Sequence, residues 1–241
     1  MNTPFGEVKL LQGKIGNTNV YFLNRHGTGH SVPPHNINYK ANIYALFKKK
    51  VKHVISTTAV GVLKDYSPGE LVLLEQFVDF VSPPITYFDG LFEVEISDNY
   101  IKSGVVHTDY TEPYCPLLRD CIFETGKKIN LQVKNGGIYV LSRGPRFETP
   151  AEISIMKNNN WGNVVGMTNP NEVILARELE IHYASISITT NFAAGISKNK
   201  ITHLEVLDIF NNLKPKVQQL IEEVIKTNIS EKDCDCVKHP K

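Results

Sequence analysis

The chain has 241 residues, enough for one large α/β domain, and its 26 Lys and Arg residues nearly balance 25 Asp and Glu residues, giving a formal net charge of +1. This balance argues against nucleic acid as the main partner. No apolar run reaches the roughly 18 residues of a membrane span, and the N-terminus has no secretory pattern, so the sequence favours a cytoplasmic globular protein.

Six runs rich in β-branched and aromatic residues predict strands, and several are almost wholly apolar, which is typical of strands buried on both faces. In chain order they cover residues 20–23, 53–60, 71–80, 137–141, 163–167 and 182–190.

Helical spacing of apolar residues falls between these strands. Residues 39–47 place their apolar side chains on one face, and Lys48 follows at the C-terminal end, where a cation suits the helix dipole. Residues 204–225 form a longer amphipathic pattern, which Pro215 is expected to split or kink.

Two helix starts carry capping signatures. Thr149 is followed by a proline and then by Glu152, which predicts a capping box with proline at the first helical position. Asn169, the next proline and Glu172 repeat this pattern, so the sequence predicts a second capping box there.

The alternation of strand and helix, without an internal repeat or low-complexity linker, predicts a single α/β domain over residues 1–241. Its expected architecture is a central, mostly parallel mixed sheet flanked by helices. In such sheets ligands bind beyond the carboxyl ends of the strands. The residues near those ends are therefore the candidates for one composite site.

Three side chains near the predicted strand ends are hydrogen-bond donors without negative charge: Arg25, Thr58 and Thr168. Such donors suit an oxyanion such as phosphate, because a guanidinium binds bidentately and hydroxyls add directed hydrogen bonds. Each also has an ordinary structural interpretation, since Thr favours strands and an Arg-His pair after a strand is often a surface pair.

Glu148 and Asn191 form a second pair of candidates. Asn both donates and accepts hydrogen bonds, whereas ionised Glu only accepts, so together they suit an amide-like edge such as that of a 6-oxopurine. A Glu favoured by a helix dipole and an Asn that forms a turn are the structural alternatives.

His26, His30 and His35 lie close in sequence, but the glycines and prolines between them prevent a helix that would align them. No acidic or Cys ligand lies nearby, and we assign no metal ligand to the site. The chain also lacks the nucleophile-elbow, P-loop and dinucleotide-binding glycine patterns, so those three classes of site are not indicated.

The four cysteines, Cys115, Cys121, Cys234 and Cys236, leave the redox state open. The Cys-Asp-Cys motif fits a redox pair, half of a metal site, or two thiols on a mobile tail, and we favour the last interpretation. Residues 230–241 are accordingly expected to form a flexible tail.

Seven strings occur in order between Thr3 and Ser197: "NRHGTGHSVPPHNINYKANIYAL", "HVISTTAVGVL", "PGELVLLEQFVDF", "EPYCPLLR", "YVLSRGPRFETPAEI", "GMTNPNEVILARELEIHYASISITTN" and "AAGIS". Together they resemble the purine nucleoside phosphorylase / methylthioadenosine phosphorylase family. The resemblance covers most of the chain, and several of the motifs are long.

This resemblance implies a nucleoside phosphorylase-like fold and a phosphorolytic reaction of purine salvage. Phosphate attacks C1′ of a purine nucleoside, and the products are free base and ribose 1-phosphate. The resemblance implies inorganic phosphate as co-substrate, no metal or organic cofactor, and a homotrimer or homohexamer in the cytoplasm.

The resemblance also assigns roles to residues at matching positions. It implies phosphate binding by Arg25, His26, Thr58, Ala59 and Thr168. It implies substrate binding by Met167, Asn191, Glu148, Phe147 and Ala193. The catalytic residues that it implies are Asn191 and His26.

Base specificity follows from the Asn191 position. Family members that take 6-aminopurines usually carry an Asp-x-Asp motif there, whereas this chain has Asn191-Phe192-Ala193. We therefore expect a preference for inosine and guanosine, because the amine of adenine would face the donor of Asn191. A methylthioinosine or methylthioadenosine phosphorylase is one alternative, and a catalytically impaired purine-binding paralogue is another.

The chain departs from the family pattern at its N-terminus. Family members begin with a strand and a Gly-rich loop that donates to phosphate, and this sequence starts near the following segment, seen as Thr3-Pro4-Phe5-Gly6. We expect that strand, and with it one wall of the phosphate site, to be absent from this chain. The purine-binding alternative rests on this difference.

Overall fold

The computed structural model describes residues 1–81, 83–97, 100–197, 202–227, 229 and 234–237. The described strands are β1 Asn2–Thr3, β2 Gly6–Glu7, β3 Leu11–Ile15, β4 Thr18–Phe22, β5 His53–Val62, β6 Leu71–Val78, β7 Val94–Ser97, β8 Tyr100–Lys102, β9 Val133–Leu141, β10 Val164–Gly166 and β11 His182–Phe192. The described α-helices are α1 Tyr39–Lys48, α2 Pro116–Lys128, α3 Pro150–Asn158, α4 Asn169–Glu178 and α5 His203–Ile225.

Five of these strands close into a barrel in the order β10-β5-β11-β6-β9. Three neighbouring pairs are parallel, β9 with β10, β5 with β11 and β6 with β9, and the other two pairs are antiparallel. The first nine residues of β11 are all buried, as expected for a strand with neighbours on both edges. The predicted α/β fold with a central mixed sheet flanked by helices is confirmed, while closure of the sheet was not predicted.

Two apolar clusters cover the barrel. One joins α1 and α4 to the strands through large buried side chains such as Tyr87 and Tyr139. The other joins α2 and α5 to the strands through Leu71, Ile186 and Leu220. Helices α1 and α4 therefore lie on one side of the barrel and α2 and α5 on another, while α3 packs in a third, smaller cluster. None of the described helices combines the length and the apolar character that crossing a membrane requires.

Several local predictions need correction. The strand predicted at residues 20–23 is β4, but it pairs only with β3 in a separate antiparallel hairpin, because its side chains are too exposed to join the barrel. Pro215 does not split the last helix, since α5 continues through it, and the alternative of a kink stays a prediction. Helix α2 was not predicted.

The two predicted capping boxes have different outcomes. At α3, Thr149 Oγ1 accepts from the Glu152 amide at 3.2 Å and Glu152 accepts from the Thr149 amide at 2.7 Å, so this box is confirmed. At α4 the prediction is wrong: Asn169 is the first helical residue and makes no cap bond. Its side chain is fully buried and bonds to the barrel instead, because tertiary partners there outcompete the local backbone.

The predicted tail at 230–241 falls partly outside the described residues, which omit 230–233 and 238–241. Residues 234–237 contact the body of the protein. Cys234 Sγ lies 3.9 Å from Cys115 Sγ, and Cys236 is only 4% exposed, so the two thiols of the motif are not on a free tail.

Candidate active site

The candidate site lies where β10 ends beside the middle of β5. These strands are antiparallel, with Val164 opposite Val62 and Val165 opposite Gly61. The next residues of the chain after β10 therefore run back along β5 toward Ala59. Residues 57–59 lie inside β5 and not beyond its end, which corrects the expectation that the whole site lies beyond carboxyl ends.

A buried tyrosine links the two predicted phosphate-binding threonines. The Tyr139 hydroxyl accepts from the Thr168 amide at 3.1 Å, and the side chains of Thr58 and Thr168 lie close enough to lower its pKa. All three side chains are buried, and burial raises the pKa of Tyr139, so its hydroxyl stays protonated. The sequence analysis did not identify Tyr139, since a tyrosine in a strand has an ordinary structural explanation.

Arg25 is held at the edge of β5 with one donor left over. Its Nη2 donates to the Thr57 carbonyl at 2.7 Å, and its Nη1 lies 3.6 Å from Glu172 Oε1. Its Nε is buried without a hydrogen-bond partner among the described residues. Burial is the largest single influence and lowers the pKa of Arg25, but Glu172 and the neighbouring tyrosines together raise it by more, so the net pKa is raised. The guanidinium is therefore a fixed cation with an unused N–H.

A buried polar network fixes Glu172. The Tyr183 hydroxyl lies 2.7 Å from Glu172 Oε2 and also 2.7 Å from Ser56 Oγ. The Ser56 hydroxyl in turn donates to Ser185 Oγ at 2.9 Å. Asn169 Nδ2 donates to Ser185 at 2.8 Å. Sequence reasoning took Glu172 for a capping residue and missed its partners. The alternating polar residues in the otherwise apolar "SISITT" of β11 are the signal that could have revealed them.

His26 follows Arg25 in a tight turn that Gly27, with φ of 70°, allows. His26 Nδ1 lies 3.0 Å from the Val32 carbonyl, and the ring stacks on His30 at 4.3 Å between centroids. Because a carbonyl only accepts, the ring proton is assigned to Nδ1. Burial lowers the pKa of His26, so the ring is neutral at pH 7 and Nε2 is a hydrogen-bond acceptor.

Asn191 stands near the far end of β5 and β11, opposite Gly61. Its Oδ1 accepts from Thr190 Oγ1 at 2.9 Å, and its Nδ2 donates to the Phe192 carbonyl at 2.9 Å. A Cβ atom on Gly61 would lie 3.4 Å from Nδ2, so only glycine leaves this side of the amide open.

The loop that carries Glu148 meets the segment that follows β11. A Cβ atom on Gly195 would lie 2.7 Å from Pro150 Cβ, which places the segment after β11 against the start of α3. Glu148 is 8% exposed, whereas Phe147 is 44% exposed at the surface. The other predicted substrate contact, Ala193, is buried in the apolar cluster against α3.

The spacing of these groups suits one ligand. Thr58 and Gly61 are three residues apart along β5, which corresponds to about 10 Å. The half-buried Met167 lies between them and packs against Gly144, where a Cβ atom would meet its side chain. The donors of Arg25, Thr58 and Thr168 can hold a tetrahedral oxyanion at one end, while Asn191 offers an amide at the other.

A cavity of about 780 Å³ opens beside Arg25. Arg25, Glu172 and Tyr183 form one polar end, and the cavity runs along the edge of β5 over residues 53–57, which no described strand covers. Neither Asn191 nor Glu148 lines it. The cavity therefore reaches only the end of the candidate site where Arg25 lies, and it does not extend to Asn191.

Comparisons with known proteins identify the family to which the chain is similar. A family model described as "Phosphorylase superfamily" matches residues 1–226. Over 238 residues the chain is 50% identical to the "Probable 6-oxopurine nucleoside phosphorylase" of Dictyoglomus turgidum, covering 98% of this chain and 86% of that protein. It is 43% identical over 237 residues to the "Probable S-methyl-5'-thioinosine phosphorylase" of Methanopyrus kandleri, covering 97% and 87%.

The fold also matches solved structures. A structure of "Methylthioadenosine phosphorylase from Schistosoma mansoni in complex with adenine" is 30% identical with a TM-score of 0.84. The match covers 93% of this chain and 83% of that chain.

Proposed function

This chain belongs to the phosphorylase superfamily, and we propose that it catalyses the phosphorolysis of 6-oxopurine nucleosides in purine salvage in the cytoplasm. Inosine and guanosine are the substrates, with inorganic phosphate as co-substrate and no other cofactor. The observation that carries the proposal is the buried Arg25 Nε, which has no hydrogen-bond partner among the described residues and which adjoins the part of β5 that carries Thr58. The names of the curated relatives support it.

The proposed reaction needs positioning and electrostatics more than acid–base chemistry. Arg25 Nε, Thr58 and Thr168 donate to phosphate, the Ala59 backbone lies beside it, and His26 Nε2 accepts from the phosphate hydroxyl. A phosphate oxygen bonds to C1′ as the bond from C1′ to N9 breaks, and the electron pair moves into the purine.

Asn191 stabilises the departing purine. Its Nδ2 donates to N7 or O6, while Glu148 accepts from N1–H. Met167 contacts the ribose, and Phe147 closes over the base from its exposed position. Adenine has no N1–H, and its amine meets the donor of Asn191. Each unpaired group costs about 1–3 kcal/mol in a closed site, which favours 6-oxopurines.

The activity test measures hypoxanthine released from inosine with and without phosphate. Arg25→Gln removes the anion-binding cation, and Arg146→Gln is the matched control, because Arg146 is an exposed arginine that pairs with Glu152. We expect product only with phosphate and a large loss in Arg25→Gln alone. Purine binding without turnover at any phosphate concentration would instead support the catalytically impaired paralogue.

The specificity test uses Asn191→Asp. A carboxyl group in this position can accept from the exocyclic amine, so adenosine or methylthioadenosine turnover should rise relative to inosine turnover. If the ratio does not change, the role given to Asn191 is wrong.

Methylthioinosine is a second candidate substrate, favoured by the Methanopyrus kandleri relative. It carries the same base as inosine, so the Asn191 argument applies to both. The ratio of kcat/KM for methylthioinosine to that for inosine decides between them.

We also propose that the chain assembles as a homotrimer or homohexamer. Support comes from large apolar side chains between β6 and α2: Phe80 is 78%, Leu91 93% and Val105 73% exposed. Light scattering after gel filtration should give three or six times the chain mass of 27.1 kDa. A monomer would contradict this proposal and leave the proposed reaction to be judged by the activity test.

A further inference from the structure

Three cysteines and one histidine meet at the end of the barrel opposite the base-reading end. Cys115 is the residue before α2, His182 is the first residue of β11, and Cys234 and Cys236 belong to the described segment 234–237. One ligand atom from each residue lies within 4.8 Å of the others. Three of the four residues are buried, and Cys234 is partly exposed. None of them has a part in the proposed reaction.

The distances within this cluster fit a tetrahedral metal ion. Cys115 Sγ and Cys234 Sγ are 3.9 Å apart, and His182 Nδ1 lies 3.4 Å from each of these sulfurs. With zinc–sulfur bonds of about 2.3 Å and zinc–nitrogen bonds of about 2.0–2.1 Å, a tetrahedral ion needs about 3.8 Å between sulfurs and about 3.6 Å between sulfur and nitrogen. A disulfide bond between the same sulfurs would need a separation of about 2.05 Å. The observed separation is therefore much closer to that of two zinc ligands than to that of a disulfide.

A buried guanidinium beside the cluster supports a negative charge there. Arg177 is 6% exposed, and its Nη2 donates to the Asp235 carbonyl at 3.2 Å. Its Nε and Nη1 have no hydrogen-bond partner among the described residues. Neutral thiols would leave this cation uncompensated, whereas a zinc ion with three thiolates and one imidazole carries a net negative charge.

The sulfur of the fourth ligand, Cys236, lies within 4.8 Å of the ligand atoms of the other three residues. A tetrahedral zinc ion needs sulfurs about 3.8 Å apart, which is at most about 1 Å less than this spacing. A modest shift of Cys236 therefore completes the tetrahedron.

We propose that Cys115, His182, Cys234 and Cys236 bind one structural zinc ion. Binding releases the three thiol protons to solvent and leaves three thiolates and a neutral imidazole on the metal. Four protein ligands leave no open position for a substrate. The ion ties the segment 234–237 to α2 and β11, about 30 Å along β11 from the base-reading end, so it stabilises the fold and takes no part in the reaction.

The test is the zinc content of the full chain. Reduced protein is incubated with zinc, passed over a gel-filtration column and analysed by elemental mass spectrometry. Cys236→Ser removes one ligand. Cys121→Ser is the matched control, because Cys121 bonds to Thr227 and lies outside the cluster. We expect about one zinc per chain in the wild type and in Cys121→Ser, and at least about ten-fold less in Cys236→Ser.

Cobalt substitution of the wild type gives a second readout that needs no variant. A cluster of three thiolates and one imidazole produces intense sulfur-to-cobalt charge-transfer bands and the visible bands of tetrahedral cobalt. Three results would overturn the proposal. They are a low zinc content in the wild type, an equal zinc content in all three proteins, and a Cys234–Cys236 disulfide in the reduced and reconstituted sample. Absence of the tetrahedral cobalt spectrum would do the same, whether or not Cys236→Ser folds.

Discussion

Glu172→Gln separates the two interpretations of Arg25, as an anion clamp or as half of a structural ion pair. Glutamine keeps an oxygen that can accept from Tyr183 but removes the negative charge that lies 3.6 Å from Arg25. At that distance the attraction is about 4–5 kcal/mol for an effective dielectric constant of about 20. Removing one partner of a buried pair costs about 3–5 kcal/mol, because the other charge stays uncompensated.

For a chain of this size that loss lowers Tm by about 6–20 °C in phosphate-free buffer. Bound phosphate supplies the missing negative charge, and Glu172 no longer repels it. The increase in Tm on adding a fixed concentration of phosphate should therefore be larger in Glu172→Gln than in the wild type. Both quantities are measured by differential scanning fluorimetry over a phosphate titration.

Glu152→Gln is the matched control. Glu152 pairs with Arg146 at 2.7 Å on the surface, and glutamine can still complete the capping box at α3. Its Tm should stay close to that of the wild type. If phosphate raises the Tm of Glu172→Gln and wild type equally, phosphate does not bind at Arg25 and the pair is purely structural.

Three further changes test the surroundings of the site. Tyr139→Phe removes the acceptor of the Thr168 amide, so KM for phosphate should rise about five- to ten-fold with little change in KM for inosine. An equal rise in both KM values would contradict the role given to Tyr139. Gly166→Ala places a methyl group against the Tyr139 ring and should cost about 1–3 kcal/mol in urea unfolding, whereas Gly13→Ala, with its nearest neighbour at 3.9 Å, should cost clearly less. Thr149→Ala removes the cap of α3 and should cost about 1 kcal/mol, while Thr149→Ser should retain most of the stability.

Local sequence patterns were enough to predict all five strands of the barrel. The runs at 53–60, 71–80, 137–141, 163–167 and 182–190 correspond to β5, β6, β9, β10 and β11, because apolar β-branched residues report burial within a few positions. The capping box at α3 is equally local. The donors of Arg25, Thr58 and Thr168 were recognisable by type, since oxyanion chemistry restricts the choice of side chains.

The direction of the strands was not predictable in the same way. The pairing of β10 antiparallel to β5 brings Thr168 beside Thr58, and nothing within either segment specifies that pairing. Tyr139 and Glu172 acquire their parts from this long-range arrangement. The same residue types in another fold would be an ordinary core tyrosine and an ordinary first-turn acid.

The cysteines show most clearly the difference between what the sequence determines and what only the tertiary structure determines. By itself the sequence determined that four thiols exist and that two of them form a Cys-x-Cys motif, and it left a metal site as one of several possibilities. Only the tertiary structure brought Cys115 and Cys234, 119 positions apart, together around His182. Hydrophobic period and capping act over a few residues, whereas a cluster of this kind depends on how the whole chain packs.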